Sequence, residues 1–267
     1  MSQVDEAVLD LTISEASLLA DVLGVAVPPG LVDPDDDVAE QTSGVVAPGL
    51  VERRILDGEG TVAAPVADLL TVVGCPHLVA RAVHEEGGVS EIRSFAVRPE
   101  MAVEQRGLPN GLVRFTPFHP GQLVERIMAF VADGHAVVVD DLPHSEPTVS
   151  FECPVEVIEQ VFSDGSTTDH HSEAERAALL VDVGVDPALA LSFVVAAAGV
   201  RSTNSVTVLH RPAEQEVVGV DLTWLDAAEN GLWLNDPSET NTGWRLVARL
   251  SATELAAKLA SFLPFGS

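Results

Sequence analysis

Leu50-Val-Glu-Arg-Arg-Ile-Leu-Asp57-Gly58, then Val66-Ala-Asp-Leu-Leu-Thr-Val-Val-Gly74 and Pro76, is the stretch on which the reading of this chain turns, because its signals return. Further on stand Ile158-Glu-Gln-Val-Phe-Ser-Asp164-Gly165, then Ala178-Leu-Leu-Val-Asp-Val-Gly184 and Pro187. Each pair reads as a helix ending at Asp-Gly, a second helix ending at Gly, and a proline that prevents continuation. Strand-like runs follow in both places, and each set closes on an amphipathic helix, Gln122 to Val131 and Glu254 to Leu263. Working outward, both sets also open alike. Leu9, Leu11 and Ile13 alternate as in a strand, and Ser14 is placed to cap a helix from Glu15 to Leu23 that Gly24 stops. Thr148 to Cys153 is the second opening strand, with Pro154 leading into its helix. Repeats of about 20–50 residues would mean a solenoid or propeller. One recurrence at this longer spacing predicts two similar halves, 7–131 and 148–263, joined by a connector at 132–147 and fused into one body with a pseudo-twofold axis.

Between these landmarks the expected elements are as follows. Helices cover 47–56 and the face Val66, Leu69, Leu70, Val73. Strands at 77–84 and 89–97 meet at the hairpin turn Glu85-Glu-Gly87-Gly88, and strands near 100–106 and 111–116 meet at Asn110-Gly111. In the second half strands are expected near 189–198, 203–210, 217–225, 231–235 and 243–249. Val218, Val220, Leu222 and Trp224 form one apolar face there. Ser172 with Glu175, and Ser251 with Glu254, are capping boxes. Residues 25–46 read as an irregular acidic excursion; Asp33, Asp35 and Asp37 alternate like a calcium loop, but Val38 stands where the loop requires glycine.

Composition narrows the function. Asp and Glu number 41 against 14 Lys and Arg, a formal charge of −27. Phosphate backbones and anionic membrane surfaces need the opposite sign, so neither nucleic acid nor membrane is an expected partner. Two cysteines, Cys75 and Cys153, make no disulfide framework. The first residues carry no basic or continuously apolar region, so no secretory signal is read there. Ala188 to Val200, the longest apolar run, is too short to span a bilayer. The expected location is cytoplasmic.

No nucleophile elbow, phosphate loop or dinucleotide fingerprint is present. Gly58-Glu-Gly60 lacks the third glycine and a preceding strand. Asp169-His170-His171 is the one cluster of metal-ligand type; it precedes Ser172-Glu-Ala-Glu175 and reads as a helix lead-in. Cys75-Pro-His77 reads as a buried inert thiol, and His119, His135 and His144 as solvated loop residues. No catalytic residue, metal or cofactor is therefore expected. Trp224, Trp233 and Trp244 all fall in the second half. Trp224 reads as core. Trp233 and Trp244, with Leu234, Asn235 and the polar loop 236–242, are the expected partner-binding surface, since large aromatics on a sheet are common binding anchors.

Taken together, Leu9-Asp-Leu-Thr-Ile, Leu18-Leu-Ala-Asp-Val-Leu-Gly24, Leu50 to Gly60, Val66-Ala-Asp-Leu-Leu-Thr-Val-Val and Gly243-Trp-Arg-Leu-Val-Ala with the closing helix resemble the EspG family of type VII (ESX) secretion-associated proteins in actinobacteria. The resemblance runs along nearly the whole chain and rests on patterns of apolar positions and turns. It implies an α/β (α+β) body: a central, twisted, largely antiparallel sheet flanked by helices, internally duplicated about a pseudo-twofold. It also implies a cytosolic chaperone, not an enzyme, that caps the apolar tip of a PE–PPE heterodimer. Two readings from other classes stand beside it: a self-assembling protein that dimerises through a sheet edge, and a hydrolase with a metal site near Asp169, His170 and His171.

Overall fold

The structure, a computed structural model, describes residues 8–26, 43–131, 149–162, 172–210, 217–237 and 242–263. The Asp169-His170-His171 cluster, the acidic run Asp33–Asp37, the connector 132–147, His135 and His144 lie outside these residues.

In order, the chain forms β1 (Leu9–Thr12), α1 (Ile13–Leu23), α2 (Ser43–Glu52), α3 (Ala64–Gly74), β2 (Leu78–Glu86), β3 (Val89–Val97), β4 (Ala102–Gly107), β5 (Leu112–Phe118) and α4 (Leu123–Val131). It continues with β6 (Val149–Pro154), α5 (Val155–Phe162), α6 (Glu173–Asp182), α7 (Pro187–Ala198), β7 (Ser202–His210), β8 (Val218–Asp226), β9 (Leu232–Pro237), β10 (Trp244–Leu250) and α8 (Ala252–Ser261). Strand, three helices, four strands, helix: the second run of elements repeats the first. All ten strands belong to one sheet, in the order β1-β5-β4-β3-β2-β7-β8-β9-β10-β6. Read inward from either end, each run contributes its strands in the same sequence. The pairs β1/β5, β5/β4, β4/β3, β8/β9, β9/β10 and β10/β6 are antiparallel.

Compact packing divides the chain along other lines than the sequence halves. One unit takes residues 1–81, 92–123 and 208–219; the other takes 82–91, 124–207 and 220–267. Most of α4, from the first run, thus packs in the second unit.

The first unit is built on α1, α2 and α3 over β1, β5 and β4. Leu11, Leu19, Leu50, Leu70, Val73, Val103 and Phe115 form its buried cluster. Its opening joint differs from the expectation by two residues: Thr12, not Ser14, caps α1. The Thr12 hydroxyl accepts from the Glu15 amide at 3.1 Å while the Glu15 carboxylate accepts from the Thr12 amide at 2.8 Å. The same glutamate pairs with Arg53 at 3.0 Å. Arg53 also donates to the Asp10 carbonyl, and Arg114 grips the Asp10 carboxylate with two bonds of 2.9 and 2.8 Å. These contacts fasten the edge strand β1 to β5 and to α2. The Arg114 guanidinium holds the Asp10 carboxyl below its ordinary range. Gly74 at the end of α3 is required by space, since a Cβ there would lie 2.7 Å from the Ala26 carbonyl oxygen.

The second unit surrounds Phe193 of α7. Phe151, Phe162 and Trp233 meet its ring edge-on at centroid separations of 5.6, 5.8 and 5.3 Å. Cys153, Ile158, Val161, Leu180, Val194 and Val247 complete this cluster. Behind it, α8 turns Leu255 and Leu259 inward, and Lys258 reaches Asp236 at 2.7 Å. A polar cluster is buried among the central strands: His84 Nδ1 lies 2.7 Å from Asn204 Oδ1, and Asn204 donates to the Ser202 hydroxyl at 3.2 Å.

The expected strand at 189–198 is a helix. Asp186 caps it, its carboxylate accepting from the Ala188 and Leu189 amides, and Pro187 occupies the first turn. A run apolar on every side has no period to distinguish strand from helix. Its length, beyond the usual four to eight residues of a buried strand, and the Asp-Pro start decide for helix.

Candidate protein-binding face

Both faces of the sheet are occupied at the tryptophans. Neighbours along a strand point to opposite faces, yet Trp233 and Leu234 are 1% and 2% exposed. Trp233 packs on Phe193 and donates its indole N–H to the Asn230 carbonyl at 3.0 Å. Leu234 sits opposite Trp224, itself buried. Asn235 and Trp244 are half-buried. Trp244 opposes Pro154 on β6, whereas Trp233 opposes Arg249 on β10, so the two indoles are not side by side. Trp233 and Leu234 therefore hold the core and are withdrawn from the expected surface. The strand pattern marked them as large and apolar, but nothing in it signalled that both faces of the strand are covered.

Cys75 is exposed, against the expected burial; it closes α3 as the residue after the last turn. Cys153 is the buried thiol, pushed up to about 12 by desolvation. His119 caps the turn before α4, accepting from the Gly121 amide at 3.1 Å. Among the described residues no three His, Cys, Asp or Glu side chains are grouped so as to hold a metal ion.

A shallow cleft of about 630 Å³ in the first unit is lined by Val51, Leu56 and Val62 beside Arg54 and Asp57. Its carboxylate is already engaged. Asp57 accepts from the Thr61 and Glu59 amides at 2.8 and 2.9 Å, and these bonds, Thr61 foremost, hold its carboxyl below the ordinary range. That loop is a self-contained turn joining α2 to α3, with no acid–base pair facing the cleft.

An exposed apolar stripe lies on α6 and α7. Capping fixes α6: Ser172 accepts from the Glu175 amide, and the Glu175 carboxylate accepts from the Ser172 amide at 2.7 Å. Leu180 and Ala177 face inward, and so do Ala190, Phe193, Val194 and Ala196 of α7. Facing outward are Ala174, Ala178 and Val181 on α6, and Ala188, Leu191 and Ala198 on α7. Val181 is 37% and Leu191 46% exposed. Reading 189–198 as a strand concealed this face; once α7 is a helix, the spacing 188, 191, 195, 198 is that of a single helical stripe.

No family model matches the chain, and no curated protein does. Among solved structures, the chain is similar to the Mycobacterium tuberculosis type VII secretion system chaperone EspG5, determined in complex with a PE25–PPE41 dimer. The TM-score is 0.66 at 13% sequence identity, with 98% of each chain covered. The chain has the EspG fold. The likeness takes in the whole antiparallel sheet and its flanking helices, so the EspG-like architecture implied by the sequence patterns is present at an identity too low to carry residue roles across. Among the described residues, no helix of this EspG-like chain is long and apolar enough to cross a membrane.

Proposed function

We propose that this protein is a cytoplasmic, non-enzymatic chaperone of a type VII secretion system that binds a helical-bundle substrate of the PE–PPE kind. The observation that supports it is the end-to-end likeness to EspG5, which was itself determined with a PE25–PPE41 dimer bound. The surface chemistry agrees. A chain of net charge −27 stays soluble. An apolar helical face is suited to covering the apolar tip of another bundle, which left bare would aggregate. Asp10, Glu15, Asp57, Glu175, Asp186 and Lys258 serve in caps, turns and ion pairs, which fits holding a molecule better than transforming one.

Co-expression tests this. A PE–PPE heterodimer from the same genome is produced with and without this chain, and the soluble fraction is measured. Recovery of the heterodimer in soluble form only with the chain present is the expected result. Equal solubility in both cultures, with no association, for every heterodimer of that genome would contradict it.

A further inference from the structure

Helix α7 is physically anomalous. Ser192 is the only polar side chain in Pro187–Ala198, and a helix apolar on every side is ordinarily buried on every side. Here Ala188, Leu191 and Ala198 remain exposed, and on the adjoining α6 so do Ala174, Ala178 and Val181. These residues lie on two helices packed against each other, and apolar surface gathered in this way on a protein's exterior marks a place where something docks. Among the described residues, the exposed charged side chains on these two helices and the turn between them are of one sign. Glu173, Glu175, Asp182 and Asp186 are exposed on and between the two helices. The single Lys or Arg in residues 172–199, Arg176, is half-buried and donates to the Val161 carbonyl at 3.3 Å. Alanine at most outward positions lets another helix come close, because interaxial distance is set by the side chains at the contact.

We propose that α6 and α7 receive an amphipathic helix whose apolar stripe is flanked by lysine or arginine. This rests on the chaperone reading and specifies the chemistry of its contact. Leu191 and Val181 supply the apolar anchor, which governs how long the complex lasts. The carboxylate rim draws in a basic-flanked helix and repels an acidic one, which governs capture rate and selectivity.

The test uses the full chain and three labelled helical peptides: a Leu/Ala stripe flanked by Lys, the same stripe flanked by Glu, and the Lys peptide with its stripe scrambled. Anisotropy titrations are expected to show the first binding on the order of tenfold more tightly than either other, and weakening as salt rises from about 50 to about 300 mM. Leu191→Glu is expected to cost about tenfold for the Lys-flanked peptide, and Ala178→Glu likewise, each with unchanged circular dichroism. Val22→Glu, at an exposed position on α1, should bind as the parent does. Equal binding of the scrambled Lys peptide, meaning charge attraction alone, would overturn the proposal, as would full binding by both folded Glu variants. Peptide binding without any PE–PPE complex would sink the chaperone reading and leave this contact standing. A PE–PPE complex indifferent to both Glu variants would do the reverse.

Discussion

Individual residues carry consequences that their chemistry makes measurable. Cys153 is fully buried with its thiol pushed up to about 12, whereas Cys75 is exposed. The thiolate is the reactive form. One thiol per chain should therefore react with Ellman's reagent in the native protein and two in denaturant; two fast thiols in the native state would contradict the placement of Cys153. Trp233→Ala removes the indole that Phe193 packs against. It is expected to cost about 3–5 kcal/mol in urea unfolding, the loss typical of a core aromatic, with no selective loss of partner binding in whatever remains folded. Trp244, half-buried at the start of β10, should cost clearly less. Asp10 gives a pH dependence. Its folded-state value lies below the ordinary carboxylate range, so its pairing with Arg114 stabilises the fold above that range and the contribution disappears as pH falls through the depressed value. The pair is partly exposed, so screening keeps the effect small, below about 1 kcal/mol. Asp10→Asn should be slightly less stable than the parent near neutral pH, and the two unfolding curves should converge in acid; a constant difference across that range would exclude the assignment.

Elements were legible where a local signal fixes them. The capping boxes at Ser172 and Ser251 stand as read, and Ser172→Ala should lower stability by about 1 kcal/mol by stripping α6 of its cap, as thermal unfolding would report. Glu85-Glu-Gly87-Gly88 does join β2 to β3, with both glycines at positive φ. Failures occurred where two signals compete. Thr12 and Ser14 are both good caps. Only the reach of Glu15 back to the Thr12 amide chooses between them, and that pairing lies in three-dimensional geometry as much as in spacing. Helix α7 was missed because Ala188 to Val200 gives no period. The exposed apolar stripe through Leu191 was hidden with it, since that stripe exists only on a helix. Trp233 and Leu234 misled for a related reason: a strand covered on both faces looks, in sequence, like one with an apolar side to spare.

At the scale of the molecule, the element order repeats once and the strand order runs identically inward from both edges of the sheet. We propose that a doubled ancestral unit lies behind this order, 7–131 and 148–263. Superposing β1–α4 on β6–α8 in that correspondence is the check, and agreement confined to single hairpins would contradict it. The two runs are not equivalent in chemistry. The first fastens its edge strand with Arg53, Asp10 and Arg114, while the second carries the uncovered, acid-rimmed helices α6 and α7. A duplicated scaffold can keep one copy for stability and leave the other free to bind. The most direct test is light scattering on the purified chain mixed with a PE–PPE heterodimer of its own genome and separated by size exclusion. The account predicts a single peak with the mass of one chain plus one heterodimer, lost or diminished with Leu191→Glu. Separate elution of chain and heterodimer, for every such pair, would contradict it.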